Sequence, residues 1–105
     1  MTIIRAPPIG ASYQDPFPGW IEPYHGTTSL FGMVGTGRIK FMLLGNNYDE
    51  LPVDILVNHL ILAGAYKPRD PGCTIVHTVR NDRKSLKLVF DLVASYYKSK
   101  PVKLP

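Results

Sequence analysis

The chain has 105 residues, 45% of them hydrophobic, and carries a net charge of +4. That length holds one compact domain with a short tail, and the composition excludes a disordered chain. Cys73 is the only cysteine, which excludes an internal disulfide and a zinc knuckle and points to a reducing, cytoplasmic setting.

Met1 to Ile4 is briefly apolar, but Arg5, Pro7 and Pro8 end the run before the apolar core of a secretory signal is reached. No stretch approaches the roughly 18 apolar residues of a membrane span, so no transmembrane segment is expected. Residues 1–18 contain Pro7, Pro8, Pro16 and Pro18. Proline fixes φ, removes a donor and drives its predecessor to extended geometry, so this segment is expected to be an extended arm without helix. Ile9, Tyr13, Phe17 and Trp20 make it too apolar for a solvated linker. Two readings follow: the arm packs on its own domain, or these four side chains bind a protein partner or a second copy. Because the periodic apolar stripes all lie further along, removal of residues 1–18 is expected to leave the remainder folded.

The domain proper is expected over residues 19–105. Trp20, Ile21 and Tyr24 suggest a short strand within 19–34, and Gly26, Gly32, Gly35 and Gly37 interrupt any long element there. Arg38 to Leu44 reads as a strand, followed by a turn at Gly45-Asn46-Asn47. A helix is expected from Asp49–Pro52 onward, with Asp49 as its cap and Pro52 in its first turn. Val53, Leu56, Val57 and Leu60 form its main stripe, and Gly64 with Lys67-Pro68 ends it. Thr74 to Arg80 is β-rich. Beyond Asn81-Asp82, Leu86, Val89, Phe90, Val93 and Tyr97 fall on one helical face, opposite Lys84, Lys87, Asp91, Ser95 and Lys98. Leu86, Leu88 and Phe90 also alternate, which leaves open a hairpin of 74–80 with 85–90. The sum is an α+β fold: a small β-α-β-α core with a thin parallel sheet, a third strand from 19–34, and the proline-rich arm.

Three patterns touch on chemistry. Gly32-Met33-Val34-Gly35-Thr36-Gly37 has Walker A glycine spacing, but Arg38 and Ile39 stand where the mechanism needs Lys and Ser/Thr. Gly32-Met33-Val34-Gly35 also resembles the GxxG loop of KH domains, which implies backbone contact with nucleic-acid phosphates. Tyr24-His25-Gly26-Thr27 resembles the His-Gly-Thr segment of ADP-ribosyltransferases, without the acidic residue such a site needs at a suitable distance. His25, His59 and His77 do not cluster in sequence, and no Ser/His/Asp order or metal set is complete. No enzyme activity, cofactor or metal is therefore expected.

The charge lies in the last third. Residues 67–105 carry nine cations against Asp70, Asp82 and Asp91, a net +6. Arg80, Arg83, Lys84, Lys87, Lys98, Lys100 and Lys103 form the candidate polyanion-binding surface. Cations at a helix C-terminus are favoured by its dipole, whereas Arg83 and Lys84 precede a helix and invite another reason, such as phosphate contacts. The sequence reading is a non-catalytic binding or assembly subunit that uses the arm and the basic surface. Its alternative is an RNA-binding domain acting through residues 80–103.

Overall fold

Prolines at 7 and 8 keep the first residues extended, and the β-branched run Thr2-Ile3-Ile4 is well suited to a strand. In a computed structural model, which describes residues 1–22, 24–40, 45, 47–66, 72–82 and 84–102, this segment, expected to be an arm outside the core, is paired in a sheet. Strand β1 (Thr2–Arg5) lies parallel to β4 (Thr74–His77), with Ile3 opposite Ile75 and Ile4 opposite Val76. A second pair, β2 (Ile9–Gly10) and β3 (Leu51–Pro52), is also parallel. The described residues form a small α+β fold with two two-stranded sheets and three helices: α1 (Gly26–Gly35), α2 (Val53–Ala65) and α3 (Leu86–Ser99).

By its internal contacts the chain divides into two units, Met1–Pro23 with Asp49–Asn81, and Tyr24–Tyr48 with Asp82–Pro105. The boundary expected between residues 18 and 19 falls inside the first of these. Unit 1 holds both sheets and α2. Its strands are extended by further backbone bonds, from the Thr74 N–H to the Met1 carbonyl and from the Thr78 N–H to the Arg5 carbonyl, both 2.9 Å. Among the described residues, Leu51 and Leu56 are its buried apolar side chains, 2% and 8% exposed. Burying a side chain of that size contributes about 1.5–3 kcal/mol. Gly10 is buried beside Glu50, whose side chain would collide with a Cβ at that position.

Unit 2 holds α1 and α3. Phe31 of α1 meets Tyr48 at 6.0 Å and Phe90 at 5.8 Å between ring centroids, the latter edge to face. Gly35 lies against the Tyr97 ring so closely that a Cβ there would overlap it. Gly37, at φ 72°, closes α1 by donating its N–H to the Val34 carbonyl. The Tyr48 N–H bonds the Lys84 carbonyl at 2.9 Å in an isolated antiparallel bridge.

Several expectations are corrected here. The strand expected within 19–34 is largely helix α1, because Phe31 and the small Gly35 surface gain packing against α3 residues that outweighs glycine's poor helix propensity. Residues 38–40 form no strand, and 41–44 lie outside the described residues. The parallel partner of β4 is β1. The hairpin alternative for 85–90 fails, since those residues open α3. Asp49 does not cap α2: Pro52 holds the N-cap position, and Asp49 Oδ1 is a buried atom without a hydrogen-bond partner among the described residues.

Candidate functional site

Proline and glycine at 16, 18 and 19 favour a closed loop, and residues 12–20 form one. Ser12 is buried at its neck. Its N–H donates to the Trp20 carbonyl, and its own carbonyl accepts from the Gly19 N–H, both at 2.9 Å. The Ser12 hydroxyl donates to the Phe17 carbonyl at 2.7 Å. Gly19 sits at φ 85°, a conformation that favours glycine. The Asp15–Pro16 peptide bond is cis.

The tip of this loop is held by one carboxylate. Asp54, in the first turn of α2, accepts the Tyr13 N–H on Oδ1 at 2.9 Å. Its Oδ2 accepts the Gln14 and Asp15 N–H groups at 2.8 and 3.2 Å. The Tyr13 amide is the largest influence on its pKa. With the Gln14, Asp15 and Ile55 amides, and against the opposing effect of desolvation, it lowers Asp54 to about 2. Backbone amides stabilise the ionised form, so at neutral pH Asp54 is an anion with its acceptor sites engaged. Its chemistry is that of a clamp and not of a proton carrier.

The clamp shapes a cavity of about 340 Å³ lined by Asp15, Pro16, Trp20, Val53, Asp54, Val57 and Asn58. That volume lies at the lower end of small-molecule sites, roughly 300–1,000 Å³, and most of the walls are apolar. A second cavity in unit 1, of about 360 Å³, lies between β1 and α2 and is lined by Met1, Thr2, Ile4, Leu60, Ala63 and Gly64.

Of the residues singled out for partner binding, Tyr13, Phe17 and Trp20 share the 12–20 loop, with Tyr13 and Phe17 exposed and Trp20 partly buried on the first cavity. Ile9 lies apart from them in β2 and is exposed. The candidate basic surface is divided between the units. Arg80 belongs to unit 1, while Lys84, Lys87, Lys98 and Lys100 belong to unit 2; Arg83 and Lys103 lie outside the described residues. Lys84 pairs with Asp82 at 2.7 Å, and the Lys100 ammonium lies 5.5 Å from the Tyr96 ring centroid. Lys87 and Lys98 are exposed on α3, with Lys98 in the last turn where the helix dipole favours a cation.

The glycine segment is no phosphate loop, since Gly32 and Gly35 are inside α1 and Gly35 packs on Tyr97. His25 is the N-cap residue of the same helix. Asp54 and Ser12 went unread as positioning groups. The signal for Asp54 was its place two residues after Pro52, at the start of a helix. Its target amides are 39–41 positions away and left no local trace.

No family model and no solved structure matches this chain. Curated proteins do. The chain is 33% identical to a protein of Arabidopsis thaliana named probable fatty acyl-CoA reductase 4, over 107 aligned positions that take in 97% of the chain. It is 40% identical over 68 residues, 63% of the chain, to fatty acyl-CoA reductase 1 of Xenopus laevis, and 38% identical over 68 residues to the protein of that name in Homo sapiens. The chain spans 22% of the length of the plant relative and 13% of the other two.

These similarities overturn the reading as a non-catalytic assembly subunit and its RNA-binding alternative, because the similar proteins are enzymes by name. They point to an enzyme-related region, and so also correct the expectation of no enzyme activity. No complete catalytic constellation is legible within these 105 residues, which is why an enzyme was not expected from them. The similar enzymes are several times longer, and a site assembled across such a length leaves only part of itself in any one stretch.

Proposed function

We propose that this chain acts in the reduction of a fatty acyl-CoA, as the counterpart of one region of a fatty acyl-CoA reductase. The observation that carries this reading is the 33% identity sustained over 97% of the chain. In such a reaction a hydride donor delivers hydride to the thioester carbonyl carbon. The carbon–sulfur bond breaks, and the coenzyme leaves as a thiol once its sulfur is protonated. The acyl group becomes an aldehyde.

The geometry of unit 1 supports a part for this chain on the acyl side. Pro16, Trp20, Val53 and Val57 give the first cavity walls that suit hydrocarbon, since burying apolar surface contributes about 25 cal/mol per Å². Asp54 holds the wall that bears Trp20 by fixing the three amides of the loop tip.

Trp20 is the only tryptophan, so its fluorescence reports on this cavity alone. Titration of the chain with a sixteen-carbon acyl-CoA, below its micelle concentration, is expected to give a saturable change in Trp20 emission. Free coenzyme A is expected to give none. No response to the acyl-CoA, or an equal response to free coenzyme A, would contradict an acyl contact at Trp20.

A further inference from the structure

Strand alternation gives the β1–β4 sheet two distinct faces. Thr2 and Ile4 line the cavity shared with Leu60, Ala63 and Gly64 of α2, so that face of β1 is the one α2 covers. Ile3 and Arg5 point to the other side. In the parallel register Ile3 is opposite Ile75 and Arg5 opposite His77, which places all four on one face. That face is open: Ile3 is 37% exposed and Ile75 48%, with Arg5 and His77 exposed beside them. Among the described residues, neither strand has a second neighbour in its sheet.

Parallel sheets occur almost only with both faces covered, and two strands alone are marginal in water. An adjacent isoleucine pair on an uncovered parallel face is apolar surface of the kind that such sheets ordinarily bury. α2 itself shows Ile61 and Leu62 at 63% and 52% exposure, a second apolar surface on the same unit. The chain spans 22% of the plant relative, so most of that relative's length lies outside the match.

We propose that the open face of the β1–β4 sheet, centred on Ile3 and Ile75, is a docking surface for the part of a fatty acyl-CoA reductase that lies outside the matched region. This rests on the function proposed above. The isoleucine pair supplies the apolar centre of the contact, and Arg5 and His77 its polar rim.

The test is to co-express the tagged chain with the Arabidopsis reductase from which the matched region has been deleted. The expected result is recovery of both as a one-to-one complex. Ile3→Asp with Ile75→Asp should lower that recovery at least tenfold and leave the circular dichroism of the chain unchanged, whereas Lys87→Gln in unit 2 should leave recovery as it was. Recovery undiminished by the two aspartates would overturn the proposal. So would a chain that captures nothing and sediments as a dimer that the aspartates dissociate, because the surface would then belong to a second copy. Should the deleted reductase not accumulate, the same two aspartates are placed in a full-length reductase whose matched region has been replaced by this chain. A tenfold loss of soluble enzyme is expected, and an unchanged yield would overturn the docking surface. The proposed function fails separately, when that replaced reductase without the aspartates is soluble but turns over no acyl-CoA.

Discussion

In unit 1 the chain closes over long sequence distances: Thr2 pairs with Thr74, Ile9 with Leu51, and Asp54 gathers the amides of residues 13–15. In unit 2 helix α1 meets α3 through Phe31 and Phe90 and through Gly35 and Tyr97. The buried residues Gly10, Ser12, Leu51, Leu56 and Thr78 all belong to unit 1, and none of the described residues of unit 2 is fully buried. The difference teaches where each unit is vulnerable. Unit 1 depends on pairings that must be closed across a long loop, whereas unit 2 depends on the shape of one helix contact.

The largest expected effect comes from removing residues 1–18, which reverses the expectation from sequence that the remainder folds without them, because Thr2–Arg5 and Ile9–Gly10 are paired with Thr74–His77 and Leu51–Pro52. Both N-terminal strands and the clamped loop go with them, so unit 1 should lose its cooperative unfolding transition altogether, a loss beyond the roughly 5 kcal/mol at the low end of domain stability. Urea denaturation followed by circular dichroism checks this, and a truncated chain with the transition intact would remove the basis for contrasting the units. Next comes Leu56→Ala, expected to cost about 2–5 kcal/mol because the residue is buried and its neighbours collapse only in part. The same denaturation experiment reads it.

In unit 2, Gly35→Ala should cost about 1–3 kcal/mol through overlap with the Tyr97 ring. Tyr97→Ala in the same chain should recover part of that cost. A double-mutant cycle without coupling would show that the two residues do not press on one another.

The smallest effect at neutral pH is expected for Asp54→Asn, which keeps the size of the side chain and removes its charge. The sign follows from the lowered pKa. The stabilisation from ionised Asp54 is fully present above its ordinary value of 3.8 and is lost as pH falls through about 2. The stability difference between wild type and Asp54→Asn should therefore narrow between pH 4 and pH 2. A difference independent of pH over that window would show that the carboxylate charge does not hold the loop.

How much of this was legible follows from where the partners lie. α2 and α3 could be read because Val53, Leu56 and Leu60, and Leu86, Val89, Phe90 and Val93, repeat at helical spacing within a few turns. Thr74-Ile75-Val76 announced β4 through its β-branched residues. β1 was read as part of an arm because nothing near Thr2–Arg5 identifies Thr74–His77 as its partner. α1 was hidden by its glycines, which lower helix propensity locally, although one of them, Gly35, serves the close approach to Tyr97. Trp20 was singled out for its apolar bulk, but the carboxylate that fixes its loop was visible only as a charge.

The central proposal is that this chain acts as the counterpart of one region of a fatty acyl-CoA reductase, and product formation tests it most directly. The matched region of the Arabidopsis relative is replaced by this chain, and the reduced acyl product formed from acyl-CoA is measured by gas chromatography beside the parent enzyme and the deleted one. Product formation within tenfold of the parent, and at least tenfold above the deleted enzyme, is the predicted result. A soluble, folded replacement that forms no more reduced product than the deleted enzyme would contradict it.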